Sequence, residues 1–487
     1  MCERGPRRAT WLGAAAVRTL ALLAVLTLVL PAAGQSPAVG AVRTQLDALL
    51  ATAGPETQVG LAVVDVASGE SWFAHAAQQP LKPASVMKLL VTAATLDRFG
   101  PDFSYHTDVY VHDGELWIIG SGDPALGDER IAGRHGRPAL QVLDDWVAAV
   151  RDAGVTRLER IVLDDSIFER PGRHPDWPVD QQDRWYQAPV GGLNLNNNCL
   201  DASVQVSGGN VTLLLQPNLP ATFIANSLQA GKQNKPILRR RPDSDVFEFS
   251  GPVTQSAAFK PASVGRPSVF LGYALETALG TRGVAVDGPV VRRTIPAETL
   301  ARLTPVARHT TRMPDVLWRC NTFSQNLFAE CLLKTLVAYR PDGRRSGEPG
   351  SWEAGADQMR RQLTALGLDL ETAVLRDGSG LSHQNRLTAE QLAQLLRLMA
   401  RHRHAAMYAA SLAEPGQPGS MQRRYDYPAL RGRVRGKTGT LSGVRTLAGY
   451  VERPDGARLA FAVLCNGPKV ADMPLQVARI LATAGLN

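Results

Sequence analysis

The stretch KPASVMKLLVTAATLDRF, residues 82–99, decides how the chain is read. Pro83 closes whatever precedes it. Beyond it Val86, Leu89, Leu90, Ala93 and Leu96 recur at spacings of three and four, which predicts a helix over 85–99 with one buried face. Ser85 and Lys88 stand at i and i+3 on that helix, so the amine can reach the hydroxyl. A serine hydroxyl is a poor nucleophile at neutral pH until a base takes its proton. Lysine is such a base only when burial or a nearby cation lowers its pKa. The chain carries its own control, because Lys82-Pro83-Ala84-Ser85-Val86 recurs as Lys260-Pro261-Ala262-Ser263-Val264. Three residues after Ser263 stands Arg266, which stays protonated, so Ser263 reads as a turn residue and Ser85 keeps the chemical reading.

Outward from this helix the pattern is ordered. Residues 59–66 and 72–75 alternate as strands joined by a turn at Gly69. From 105 to 304 short strand patterns (108–112, 116–120, 161–163, 211–216, 246–250) alternate with Gly-, Pro- and Asn-rich turns. Helical patterns appear there at 139–153 and 269–280. A Pro-rich link at 170–189 suggests two subdomains. Helical patterns return at 313–339, 351–368 and 388–412, the last opened by a capping box of Thr388 and Gln391. The chain ends in strands at 443–452 and 459–465 and a helix from Met473. The order predicts an α+β fold: residues 35–104 and 305–487 form one domain, with an antiparallel sheet and helices on both faces. The long α+β insert 105–304 splits that domain.

Two further motifs join the first. Ser324-Gln325-Asn326 is the chain's single S-x-N, in a region read as helical, where buried polar groups need partners. Lys437-Thr438-Gly439-Thr440 precedes the strand pattern at 443–452. Its glycine admits a substrate backbone and its lysine can hold a carboxylate. Each motif is ambiguous alone; three in this order, at changes of secondary structure, point to one site.

The ordered triplet resembles the penicillin-binding serine DD-peptidases. The 235 residues between Lys88 and Ser324 are similar to the class C low-molecular-mass D-alanyl-D-alanine carboxypeptidases and endopeptidases, the peptidase S13-like type. Ser121-Gly122-Asp123-Pro124, Ala188-Pro189-Val190, residues 324–330 and Asp377-Gly378-Ser379-Gly380-Leu381-Ser382 resemble that group as well. The resemblance implies a penicillin-binding/β-lactamase-like fold and a set of roles. Ser85 attacks a D-Ala-D-Ala or D-Ala–diaminopimelate carbonyl and Lys88 accepts its proton. Ser324, kept in place by Asn326, relays a proton to the leaving amine. Lys437 and Thr438 receive the terminal carboxylate, Gly439 and Thr440 belong to the substrate-binding edge, and the N–H groups of Ser85 and Thr440 form the oxyanion hole. It also implies that Asp164 and Phe168 contact the diaminopimelate side chain. One departure stands out: relatives commonly carry Arg after D-G-S-G-L-S, where this chain has His383, with Arg386 as a possible substitute. Asp377 reads as a brace for a turn.

Composition bounds these readings. The 487 residues are 44% hydrophobic and 20% charged, a folded chain of more than one core. Residues 1–34 read as an export signal: Arg4, Arg7 and Arg8, an apolar run over 19–30, then Pro31-Ala32-Ala33-Gly34. An uncleaved anchor is the alternative, and either way an extracytoplasmic, periplasm-like location follows. The net charge of +8 is scattered, without zinc-finger spacing or aromatic–basic alternation, so no nucleic-acid partner is expected. Peptidoglycan peptides are the expected partners, with β-lactams as inhibitors. The distant cysteines read as buried thiols, and no H-E-x-x-H or other ligand spacing calls for a metal or cofactor. Two other classes share parts of the pattern: a serine β-lactamase or esterase, against which the long insert argues, and a non-catalytic peptidoglycan-binding module, against which the intact Ser85, Lys88 and Lys437 argue.

Overall fold

A computed structural model describes residues 37–485 with the exception of 469 and 471, so the expected export signal lies outside the described residues. Helix α1 (Pro37–Leu50) leads to strands β1 (Gln58–Asp65) and β2 (Ser71–His75), and a single 3-10 turn (Ala84–Met87) runs into helix α2 (Lys88–Phe99). The chain returns much later with α3 (Met313–Thr322), α4 (Asn326–Ala338), α5 (Trp352–Ala365) and α6 (Ala389–Ala400). Strands β3 (Val434–Leu441), β4 (Val444–Glu452) and β5 (Arg458–Asn466) and helix α7 (Met473–Thr483) follow. The two halves share one antiparallel sheet in the order β3-β4-β5-β1-β2, joined where β1 pairs with β5 from Gln58↔Asn466 to Asp65↔Leu459.

Side chains alternate across this sheet. Leu459, Phe461, Val463 and Cys465 of β5 face α1 and α7, while Ala460, Ala462 and Leu464 face the cluster that contains α2, α4 and α6. With both faces covered, β5 reads as a continuous apolar run instead of an alternating one. The small residues on the inner face bring α6 close: the Tyr450 hydroxyl of β4 donates to Leu396 O of α6 at 2.7 Å. The capping box expected at Thr388 is present, with Gln391 N donating to Thr388 Oγ1 and Thr388 N to Gln391 Oε1, each at 3.0 Å.

The middle segment builds on its own sheets. Strands Ser104–His112 and Ala307–Arg312 pair antiparallel, so the chain leaves and rejoins the first domain at one place. Glu115–Ile119, Arg160–Asp164 and Val291–Arg292 complete that five-stranded sheet, covered by helices Gln141–Asp152 and Pro267–Thr281. A hairpin of Cys199–Ser207 and Asn210–Gln216 and a small sheet of Ile237–Arg240, Phe247–Val253 and Ile224–Ala230 follow.

Three local expectations change. The helical pattern 313–339 is two helices, because Ser324 adopts a left-handed φ of 61° and the Gln325 side chain caps α4 by accepting from Asn326 N at 3.1 Å. The K-T-G-T motif precedes the strand at 444–452, as expected, and itself lies in edge strand β3. Helix α2 is buried on every side from Lys88 to Leu96, since α3, α4, α5 and α6 surround it. Ser263 sits in a short strand paired with Cys199 and donates to Gln182 O, so it is a buried strand residue and no turn. All four described cysteines are free and buried, and no described helix is long and apolar enough to cross a membrane.

Phe461 is fully buried between the sheet and helices α1 and α7. Phe461→Ala is therefore expected to cost about 3–5 kcal/mol, read as a lower urea midpoint in equilibrium unfolding.

Candidate active site

The turn that carries Ser85 is held in a strained frame. Ala84, immediately before Ser85, has a φ of 48°, a left-handed conformation that costs a non-glycine residue energy and recurs at functional sites. Two glycines make room for it. A Cβ on Gly380 would lie 1.9 Å from Ala84 O, and one on Gly439 would lie 2.9 Å from Ser85 N and 2.1 Å from Thr446 Oγ1. Edge strand β3 thus passes directly against the turn, and Thr446 Oγ1 of β4 ties it down by donating to Pro83 O at 2.9 Å.

Lys88 opens α2 and is wholly buried. Its Nζ donates to Ser85 Oγ at 3.0 Å, to Asn326 Oδ1 at 2.7 Å and to Ser379 O at 2.8 Å. Burial pulls this amine down to about 8, against weaker opposing effects of Cys320, Glu330 and Asp377. When the proton is lost, donation to Asn326 and Ser379 leaves the lone pair pointing at the Ser85 hydroxyl. Asn326 is itself oriented, because its Nδ2 donates to Tyr186 O at 2.8 Å.

Opposite stands a second pair: Lys437 Nζ donates to Ser324 Oγ at 2.7 Å and to Thr438 O at 2.8 Å. Burial first, and the Lys88 charge second, hold this amine well below its usual range. The break between α3 and α4 brings Ser324 into the site: the left-handed residue turns its hydroxyl towards β3 while Asn326, two residues on, faces Lys88.

The loop carrying Ser379 is braced by two buried carboxylates. Glu330 accepts from Gly378 N (3.0 Å), Ser379 N (2.8 Å) and Trp352 Nε1 (2.9 Å), and burial with the neighbouring Asp377 charge pushes it up to about 7. Asp377 accepts from Gly380 N, Ser382 N, Asn385 Nδ2 and Trp177 Nε1, as a brace should.

A cleft of about 690 Å³ opens over these groups, lined by Ser85, Ser324, Asn326, Thr438, Thr440 and His383. His383 is exposed there and its pKa is lowered, by burial first and then by Lys82 and Arg386. Arg386 is turned back on the loop, donating to His383 O at 2.7 Å. Asp164 and Phe168 are not among the lining residues. Asp164 is buried, accepting from Ser166 N, Ser166 Oγ and Ile295 N, and Phe168 is buried with its ring against Gly122. What the sequence reading passed over is the 170–189 link, which supplies Pro178, Gln181, Trp185 and Tyr186 to the cleft wall. Its signal was there: Trp185, 41% exposed in the fold, and Tyr186 are adjacent aromatics in a segment otherwise rich in polar residues and proline.

A serine faced by a buried amine, with no histidine base between them, defines a class: serine hydrolases that work through acyl transfer with lysine as base. Within that class the chain belongs to the D-Ala-D-Ala carboxypeptidase 3 (S13) family, whose model matches residues 42–483. It is 30% identical to the D-alanyl-D-alanine carboxypeptidase of Actinomadura sp. (strain R39), over 95% of this chain and 89% of that protein. It is 23% identical to the D-alanyl-D-alanine carboxypeptidase DacB of Haemophilus influenzae, over 81% and 82%. Among solved structures it resembles penicillin binding protein 4 (dacB) of H. influenzae, with a TM-score of 0.72 at 21% identity over 90% of this chain and 98% of that one. The same protein complexed with a β-lactam gives a TM-score of 0.68 at 20% identity, with the same coverage. The fold is that of these penicillin-binding proteins.

Two outcomes follow. If Lys88 is the base, it must be neutral to take a proton, and with burial bringing it down to about 8, acylation is expected to rise with pH up to about 8 and level off above it. Stopped-flow acylation between pH 6 and 10 measures this, and a rate flat across that range contradicts it. Gly439→Ala places a methyl against Ser85 N and Thr446 Oγ1 and is expected to lower kcat/KM by at least about 10²-fold, in keeping with small misplacements at reacting groups.

Proposed function

We propose that the chain hydrolyses D-Ala-D-Ala and D-Ala–diaminopimelate bonds of peptidoglycan stem peptides through an acyl-enzyme on Ser85. The observation that carries this reading is the wholly buried Lys88 amine, lowered to about 8 and 3.0 Å from the Ser85 oxygen. The substrate lies as an added strand along the open edge of β3, whose Thr438, Thr440 and Leu441 line the cleft. Its terminal carboxylate meets Lys437, Thr438 and Thr440. That negative charge supplies the counter-ion Lys437 lacks, raises its pKa and leaves it charged while Lys88 is neutral.

Lys88 then takes the Ser85 proton as Oγ bonds to the carbonyl carbon. The oxyanion is received by the N–H groups of Ser85 and Thr440. Ser324 passes its proton to the leaving amine as the peptide C–N bond breaks, and Lys437 replaces that proton. The proton on Lys88 then passes to Lys437, which restores both amines; water attacks the ester, giving a proton to the neutral Lys88, which returns it to Ser85 Oγ as the acyl–oxygen bond breaks. β-Lactams acylate the same oxygen and stay as substrate mimics, in keeping with the β-lactam complex of the H. influenzae relative. His383 faces the side chain of the penultimate residue from the opposite wall. We further propose that 1–34 is a signal that exports the enzyme to the envelope, where its substrate lies. In this reading residues 35–104 and 305–487 form the transpeptidase-like domain and 105–304 the insert. The shared sheet and the pairing of Ser104–His112 with Ala307–Arg312 support that division.

The test is digestion of defined pentapeptide and cross-linked muropeptides. Wild type is expected to release terminal D-Ala, and Ser85→Ala to lose at least about 10³-fold of that rate, as removal of a triad nucleophile does. Undiminished release by Ser85→Ala sinks the assignment.

A further inference from the structure

Lys88 has two fixed acceptors besides Ser85, and the segment 176–186 of the insert reaches both. The first, Asn326 Oδ1, faces Lys88 because Asn326 Nδ2 is committed to Tyr186 O at 2.8 Å. The second, Ser379 O, belongs to the loop 377–382. Trp177 Nε1 donates to Asp377 Oδ2 of that loop at 3.0 Å, and Ser382 Oγ donates to Asp176 Oδ2 at 3.0 Å. Asp176 also accepts from Arg376 Nε at 3.0 Å and from Gln384 Nε2 at 3.2 Å. Trp177 is buried, with its ring tilted against His174 and edge-on to Trp352, whose Nε1 holds Glu330 under the same loop. The far end is pinned as well: Arg173 Nη2 donates to Gln182 O at 2.8 Å, and Ser263 Oγ donates to the same carbonyl.

We infer that this strap is a positioning element for the proton transfer, with Trp177 and Asp176 as positioning residues that act on Lys88 through Ser379 and Asn326. It rests on the acyl-enzyme reading of Ser85 and deepens it. An amine with one lone pair must aim that pair, and it can do so only if its other two partners do not move. Here those partners come from α4 and from a loop, two parts of the first domain with no strand between them. A single segment of the insert spans both and also walls the cleft through Pro178, Gln181 and Trp185. The insert therefore completes the base as well as bounding the substrate. Loosening the strap frees both acceptors and admits water to Lys88. The charged and titratable groups facing that amine are Cys320 from α3, Glu330 from α4, Asp377 from the loop and Lys437 from β3. Water relieves the burial that holds the amine down, so its pKa moves up towards the free value.

The experiment follows acylation of the full-length protein by a fluorescent penicillin from pH 6 to 10 in wild type, Trp177→Phe, Ser382→Ala and Ser85→Ala. Trp177→Phe keeps an aromatic ring, though a smaller one, and deletes the donor; Ser382→Ala deletes the bond to Asp176 from the loop side. Both are expected to slow acylation by about 10- to 100-fold, the scale of misplaced reacting groups. Both are also expected to move the rising limb of the pH profile upward by at least about half a unit, with little change in the pre-covalent dissociation constant. Rates and limb equal to wild type overturn the inference, and so does a loss that is equal at every pH with the limb unmoved, which is what general destabilisation produces. Should Trp177→Phe fail to fold, Ser382→Ala decides by the same two readouts. Labelling that persists in Ser85→Ala overturns the acyl-enzyme reading itself. Labelling lost in Ser85→Ala but unaltered in the strap variants overturns only the role of the strap.

Discussion

A lysine amine taken entirely out of water is the constraint on which the rest of the site depends. Removing a solvated ammonium from water is costly, and the protein offsets this by supplying acceptors or by letting the proton go. Lys88 uses both routes. Three oxygens surround Nζ, and burial brings the amine down to about 8, close enough to neutrality to serve as a base. Placing it there needs a helix buried on every side, and α2 is such a helix. That in turn needs a sheet with small inner-face residues and a second set of helices, which the two ends of the chain supply together.

The nearby backbone is shaped around this amine. Ala84 and Ser324 both take left-handed conformations, one beside the nucleophile and the other beside the partner lysine. Packing keeps them there: Gly380 and Gly439 let neighbouring backbone come within reach, and Glu330 and Asp377 tie the intervening loop. The two lysines divide the labour by their surroundings. Lys437 is held well below its usual range by burial first and the Lys88 charge second; in the proposed reaction it regains its charge when an anionic substrate arrives, which couples substrate binding to base activation.

Much of this was legible in the residues. The spacing of Ser85 and Lys88, the strand patterns of β1, β4 and β5 and the capping box at Thr388 follow local rules, and local rules are what a sequence displays. The break at Ser324 was hidden because 313–339 keeps its apolar spacing on both sides of it, and no glycine or proline marks the left-handed residue. That K-T-G-T is itself edge strand β3 was not visible, because lysine and glycine are depleted in strands. Asp164 and Phe168, expected by resemblance to meet the substrate side chain, are here bonded to Ser166 and packed against Gly122. The wall of the cleft comes instead from 178–186, an irregular segment whose place is set by long-range bonds to Asp377 and Asn326 and by no periodicity.

The most direct test of the account is where the covalent bond forms. Mass spectrometry of the penicillin-treated protein, digested to peptides, is predicted to find the added mass on the peptide that contains Ser85 and to assign it to that oxygen. An adduct on Ser324, on Ser263 or on a lysine, or no adduct on folded protein, would contradict it.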